Sequence, residues 1–186
     1  MSKDSAYSHP QTRGSVEPSP IEGGKWIPLT QRKWCLVDEE DYPALSEYNW
    51  YYKTSKTSIE NGYAMGRPFG KKLKVFMHAF IMGISPKEQI DHVDGNGLNN
   101  RKDNLRPATA QQNAGNARKR TIATSSRFKG VSWDKSRAKW IATIRISYQK
   151  KNLGRFPSEE QAARAYDKAA LEAFGEFAKL NFKDNP

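Results

Sequence analysis

The chain has 186 residues, with 31 Lys+Arg against 20 Asp+Glu and a net charge of +11. That length suits one ordinary domain or two small ones, and a mean hydropathy of −0.86 favours two small cores over one large core. No run of about 18 apolar residues is present to span a membrane as a helix. A single cysteine, Cys35, excludes an internal disulfide framework and a cysteine-based structural zinc site.

Residues 1–24 are rich in Ser, Pro and Gly, with no apolar cluster and no secretory leader, and read as a flexible arm in which His9 is a bystander. From Trp26 to about Phe80 the pattern is one of short strands. Trp34, Leu36 and Val37 lead into the acidic run Asp38-Glu39-Glu40-Asp41, and Leu45, Trp50 and Tyr52 follow it. Tyr63, Ala64 and Met65 precede a hairpin turn at Gly70-Lys71, beyond which Val75, Met77 and Ala79 alternate. The aromatics Trp26, Trp34, Trp50 and Tyr63 read as core.

The next stretch, Ile90 to Arg106, reads as strand, polar loop and short strand. Thr109 and Gln112 then have the spacing of a capping box, which starts a helix near residue 109. After the basic linker Arg118-Lys119-Arg120, Phe128 to Trp133 forms a short strand. Lys139 to Ile146 alternates, with Trp140, Ala142, Ile144 and Ile146 on one face and Lys139, Ile141, Thr143 and Arg145 on the other. Lys150 to Phe156 supplies a third strand. Ser158 and Gln161 make a second capping box, opening an alanine-rich helix that ends at Gly175. Trp140, Leu153, Tyr166 and Phe174 read as core, and Asp167 as structural.

Charge is unevenly spread. Over residues 117–157 there are 12 basic side chains and a single acid, Asp134. Such a block repels itself unless a polyanion neutralises it, and its interleaved Phe128, Trp133 and Trp140 separate it from a disordered basic tail. Nucleic acid is the expected partner.

The chemistry concentrates in Asp91–Asn113. Asp and Asn supply the oxygen ligands that a hard metal ion takes, and a neutral imidazole beside such an ion can remove a proton from water. Asp91 and His92 are adjacent, so on a strand they face opposite sides and can divide those tasks. Asn99, Asn100 and Asn104 can hold an irregular loop through their amides. On residue types alone, a purely structural Asn/Asp/Gly loop fits equally well.

The spacing goes further. I-D-H-V-D-G-N-G-L-N-N-R-x-x-N-L-R, followed by a helix bearing Gln112-Asn113, resembles the HNH homing-endonuclease family. The resemblance implies a ββα-metal fold holding one divalent ion, Mg²⁺ or Mn²⁺, over the scissile phosphate. It implies His92 as general base, Asp91 and Asn113 as metal ligands, and Asn104 as the central asparagine that braces the loop orienting the histidine. His78 stands where many relatives have a histidine followed by arginine, here Ala79. It is either a packed histidine or a phosphate contact. Members with a paired CxxC zinc scaffold do not match, since only Cys35 is present.

The block Ser126–Phe182 resembles the plant Apetala/ethylene-response-factor DNA-binding domain. The matching text is R-F-K-G-V-S-W, K-W-I-A-T-I-R, N-L-G-R-F-P-S-E-E-Q-A-A-R-A-Y-D-K-A-A and F-A-K-L-N-F. That family packs a three-stranded antiparallel sheet on one helix and lays the sheet's open face in the major groove of duplex DNA. Lys129, Arg145 and Lys150 match its basic contacts, Trp133 stands near its contacting tryptophan, and Arg127 and Lys139 join the expected surface. Ser132, Thr143 and Asn152 depart from the family, so its target sequence does not carry over.

The resulting expectation is an α+β chain with four parts: an arm over 1–24, an HNH nuclease domain over 25–117, a basic linker over 118–125, and an Apetala-type domain over 126–183. Its expected activity is metal-dependent hydrolysis of DNA to 5′-phosphate and 3′-hydroxyl ends, in the cytoplasm of a phage-infected bacterium. The rival is a DNA-binding regulator whose nuclease unit is inactive.

Overall fold

The computed structural model describes residues 16–54, 62–68, 74–85, 88–117 and 125–182. The expected turn at Gly70-Lys71, the Arg118-Lys119-Arg120 linker and the first fifteen residues lie outside them. The chain mixes helices with small sheets and divides into two compact units, Met1–Pro107 and Ala108–Pro186.

In the first unit, β1 (Gly24–Pro28) and β2 (Trp34–Asp38) form an antiparallel hairpin with Trp26 opposite Leu36. A short helix α1 (Tyr42–Ser46), with Pro43 in its first turn, leads to β3 (Trp50–Thr54). The strands β3, β4 (Gly62–Gly66) and β5 (Val75–Phe76) form an antiparallel sheet in that order. The core collects Ile27, Leu29, Cys35, Val37, Leu45, Trp50, Tyr52, Ala64 and Met77. Burying an indole requires a partner for its N–H, and Trp50 Nε1 donates to Leu45 O at 2.9 Å.

The alternating stretch after residue 75 departs from the expected strand. Only Val75–Phe76 is extended, and Met77–Ile81 winds into helix α2. Met77, Phe80 and Ile81 have the i, i+3, i+4 spacing of a helical face, and all three pack into the core. That burial outweighs the alternation of Val75, Met77 and Ala79.

The chain then enters β6 (Gln89–His92), crosses a polar loop and a 3₁₀ turn at Lys102–Asn104, and returns as β7 (Leu105–Ala108), which pairs with β6. The loop is stitched to β2: Leu36 N–H donates to Leu98 O and Asn100 N–H donates to Leu36 O, each at 2.8 Å.

In the second unit, helix α3 (Ala110–Asn116) begins with the full capping box, Thr109 and Gln112 each bonding the other's backbone N–H. The strands β8 (Val131–Asp134), β9 (Lys139–Ile146) and β10 (Gln149–Phe156) form one antiparallel sheet with β9 in the centre. Helix α4 (Glu159–Phe174) is capped by Ser158, whose side chain accepts from Gln161 N–H. Its face of Ala162, Ala163, Tyr166, Ala170 and Phe174 packs with Val131, Ala142 and Ile144 of the sheet. Alanine at those positions allows close approach of helix to sheet.

Candidate nuclease site and DNA-binding surface

The site in the first unit is assembled on β6 and its loop. Asp91 and His92 end the strand, and both are buried. Burial without partners would be costly for a carboxylate. Arg106, from β7, answers it: its Nε and Nη2 lie 3.0 and 2.8 Å from Asp91 Oδ2.

His92 Nε2 lies 2.8 Å from Asn100 Oδ1. Its ring meets His78 edge-on at 5.1 Å between centroids and tilts against Tyr63 at 5.9 Å. Burial lowers the basicity of His92, while Asn100 and the carboxylates of Asp94 and Asp91 pull the other way. His78 stacks on Phe76 with 8° between ring planes. Burial, reinforced by His92, pushes its pKa down to about 3, so the imidazole is neutral at physiological pH.

Asn104 holds the loop closed. Its Oδ1 accepts from Asp94 N–H at 2.9 Å, and its Nδ2 donates to Asp94 Oδ1 at 3.0 Å and Asn99 O at 2.8 Å. Asp94 in turn accepts from Asn96 N–H and Asn99 Nδ2. Gly97 sits at a close approach, since a Cβ there would fall 2.5 Å from Gly62 O and 2.6 Å from the Tyr63 ring. Asp38, from the acidic run, anchors the end of the loop through Arg101 Nε and Lys102 N–H.

Asp91 belongs to the first unit, and Asn113 lies on α3 in the second. Among the described residues no cluster of three or more His, Cys, Asp or Glu side chains gathers to hold a metal. The two expected ligands nonetheless fit a hard divalent cation in kind. Asp91 offers a buried carboxylate oriented by Arg106, and Asn113 carries an amide oxygen.

In the second unit, strand registry and burial sort the basic residues. Arg145 on β9 pairs with Lys150 on β10, and Lys139 and Arg155 continue the same open face. Arg155 Nε donates to Asp134 Oδ2 at 3.0 Å, and Arg137 reaches the same oxygen at 3.5 Å. Asp134 is held well below the usual carboxylate range by its bonds from Ser136 and Arg155. Arg127 is exposed, with its guanidinium over the Phe128 ring and one N–H on Glu160.

Two further expected contacts have partners within the unit. Lys129 Nζ donates to Gly115 O at 2.6 Å and lies over the Tyr166 ring, so its ammonium ties α3 to the sheet. Trp133 stands on the same side of β8 as Val131, edge-on to Trp140 at 5.0 Å and 38% exposed.

A family model described as HNH endonuclease matches residues 79–115. The chain is 37% identical over 152 residues to an uncharacterized HNH endonuclease of Acanthamoeba polyphaga mimivirus, covering 79% of this chain and 74% of the relative. The chain belongs to the HNH endonuclease family. The chain also matches an AP2 domain model over residues 126–176. It is 37% identical to Protein 3.8 of Escherichia phage T7, over 49% of this chain and 74% of that protein. An ethylene-responsive transcription factor of Arabidopsis thaliana is 38% identical over 37% of this chain and 36% of that protein. No solved structure matches.

Three residues at the site were not expected from the sequence. Arg106 sat within the quoted motif as its final letter, and its buried partner was the missing clue. Asn100 looked like one more loop amide, whereas it is completely buried against His92. Cys35, which accepts from Asn100 Nδ2 at 2.9 Å, lies 65 positions away in sequence and left no local signal.

Proposed function

We propose that this chain is a metal-dependent, homing-type endodeoxyribonuclease that hydrolyses phosphodiester bonds to 5′-phosphate and 3′-hydroxyl ends. The observation that carries the reading is the buried Asp91-His92 pair closing β6 inside the segment matched to the HNH family. His92 takes the proton from a water placed in line with the scissile P–O bond. Asp91, oriented by Arg106, and the amide oxygen of Asn113 hold the cation, for which Mg²⁺ and Mn²⁺ both suit oxygen ligands. When bound, that ion stabilises charge on the transferring phosphoryl group and the departing 3′ oxygen. Asn104 keeps the loop in the shape that presents His92. His78, neutral and packed between Phe76 and His92, offers the phosphate at most a hydrogen bond from a neutral ring.

The AP2-type sheet is the duplex reader in this proposal, with Lys139, Arg145, Lys150 and Arg155 on its open face and Arg127 and Trp133 at its margins. One site per chain nicks one strand, and two chains acting together cut both. The phage relative supports action in the cytoplasm of an infected bacterium.

The test is cleavage of supercoiled plasmid and of phage genomic fragments with Mg²⁺, with EDTA, and by His92→Ala. Metal-dependent cutting that His92→Ala abolishes, with gel-shift binding intact, supports the nuclease. DNA binding without cutting of either substrate overturns it in favour of a binding-only regulator.

A further inference from the structure

We infer, resting on the DNA-directed reading above, that the outer face of the β1–β2 hairpin is a nucleotide-binding cleft. It takes one unpaired nucleotide, with the base on Trp34 and Asn99 and the phosphate on Arg32.

Strand alternation divides the hairpin. Ile27, Cys35 and Val37 point into the core, which leaves Trp26, Trp34 and Leu36 on the opposite face. That face lines a cleft of about 410 Å³, with Leu98 and Asn99 among its other walls. The volume falls in the range of about 300–1,000 Å³ that sites for small molecules occupy.

The hydrogen bonds around the cleft point to its occupant. Trp26 Nε1 donates to Ser19 O at 3.0 Å. Trp34 Nε1 is buried and has no partner, although an indole N–H taken out of water usually finds one. Asn99 Nδ2 donates to Asp94 Oδ2 at 2.9 Å, and Asn99 Oδ1 is buried with no partner. A carboxylate accepts only from the NH₂ end of an amide, so the oxygen is the end left over. One unmet donor and one unmet acceptor thus belong to the walls of a single cleft, where leaving them unmet is costly. The Watson–Crick edge of every DNA base carries a donor beside an acceptor. In a duplex that edge is spent on the complementary base, so only an unpaired base has it to offer. The Trp34 ring adds the flat apolar surface on which such a base stacks. Both side chains are half-buried, and a small rotation as the base seats turns these atoms toward it.

The hairpin turn supplies the charge. Leu29 N–H donates to Lys33 O at 2.8 Å, and between them Gln31 and Arg32 have φ of 60° and 56°. Those are left-handed positions that hairpins usually give to glycine or asparagine. Arg32 is exposed, lines the cleft and makes no ion pair among the described residues. A guanidinium kept where glycine would strain less, with no carboxylate to answer it, suits a phosphate. Lys33 lies over the Tyr52 ring at 5.8 Å and adds a second positive charge to the same lining. Asn99 also links the cleft to the proposed nuclease site, since its carbonyl accepts from Asn104 Nδ2 in the loop that follows His92.

The experiment uses the full chain in EDTA, so that binding is read without cutting. The probe is a duplex with one unpaired 2-aminopurine, whose fluorescence falls when it stacks on an indole. The wild type should quench it and should bind this duplex more tightly than the same duplex fully paired. Trp34→Phe keeps a ring and removes the N–H. It should raise Kd for the unpaired probe by about 2- to 10-fold, the scale of one hydrogen bond, with no loss in melting temperature because that N–H has no partner to lose. Trp34→Leu should raise Kd by about tenfold or more, the scale of one aromatic–base stack, and should end the quenching. Arg32→Gly relaxes the turn, so its melting temperature should hold or rise while the slope of log K against log[salt] falls by about 0.7–0.9, the share of one phosphate. Quenching of the free 2-aminopurine deoxynucleoside 5′-monophosphate, equally sensitive to Trp34→Phe, keeps the cleft and makes its ligand a free nucleotide. Folded Trp34→Phe and Arg32→Gly variants that bind the unpaired probe as the wild type does overturn the inference. So does a wild type that binds the paired duplex equally well. A wild type that binds the unpaired probe as expected and cuts no DNA with Mg²⁺ overturns the nuclease reading alone.

Discussion

Arg106 and Asp91 form a buried ion pair in which two guanidinium N–H groups converge on one carboxylate oxygen, at 3.0 and 2.8 Å. The side chains are 17% and 6% exposed. Removing one partner of such a pair leaves an uncompensated charge and costs about 3–5 kcal/mol. Arg106→Leu should therefore lower the unfolding free energy read from urea titration by that order, with a matching fall in midpoint, and Arg106→Lys, a point charge without the fork, should recover only part. An unchanged midpoint in Arg106→Leu would mean that Asp91 draws no stability from the pair.

His78 makes stability depend on acid. Burial among Tyr63, Phe76 and His92 holds its pKa down at about 3 in the folded chain, against about 6.5 for a free imidazole. The unfolded chain therefore binds the extra proton first. Stability is full above pH 6.5 and falls as pH drops through the window down to about 3, at about 1.4 kcal/mol per unit for one proton. Urea titrations across that window should show the slope, and His78→Leu should reduce it by close to one proton. A variant with the wild-type slope would show that another group supplies the dependence.

Lys129 and the open-face cations should separate by salt. The Lys129 ammonium is bonded to Gly115 O, and burial, with Lys179 nearby, draws its pKa down to about 8. Lys129→Ala should destabilise the chain and leave the salt dependence of duplex binding unchanged. Arg145→Ala or Lys150→Ala should each reduce the slope of log K against log[salt] by about 0.9, the share of one neutralised phosphate. Filter binding between 50 and 200 mM NaCl, a range of about fourfold over which such slopes are resolved, checks both. A lower slope in Lys129→Ala would return that residue to the DNA surface.

Gly115 is a position where a better helix former should hurt. Alanine is favoured over glycine in a helix by about 1 kcal/mol. A Cβ here would lie 2.6 Å from Phe174 Cγ and 2.9 Å from its Cβ. Overpacking of this kind costs about 1–3 kcal/mol, so Gly115→Ala should lower the melting temperature. Pairing it with Phe174→Leu should give a smaller loss than the two single changes added together. Additive losses would show that the two sites do not touch.

The parts of this chain that were legible in its sequence are those with local rules. The Thr109/Gln112 box and the Ser158 cap, which accepts from Gln161 N–H, mark true helix starts, because a cap and its partner lie three residues apart. The alternation over Lys139–Ile146 sorts into buried Ala142 and Ile144 and exposed Lys139 and Arg145. The single turn of α1 is too short for a period to register. In α2 two periods overlap, and only the core decides between them. At the site, the spaced motif exposed Asp91, His92 and Asn104. The contacts from His92 through Asn100 to Cys35 were invisible because no pattern within one segment links residues from different strands.

The segment matched to the HNH family runs from 79 to 115, and the border between the two compact units falls inside it, after Pro107. Helix α3 shares its unit with the AP2-type sheet: Lys129 and Lys179 both donate to Gly115 O, Ser147 bonds Gln111, and Phe174 lies against Gly115. Trading the reader for another at the basic linker would therefore strip α3 of the surface that covers it. A chimaera that exchanges the AP2-type domain should place its junction ahead of Thr109, so that the last stretch of the HNH-matched segment travels with the sheet that packs on it. By the same logic, nature's recombinants among such genes should keep that helix and that sheet together as one heritable piece.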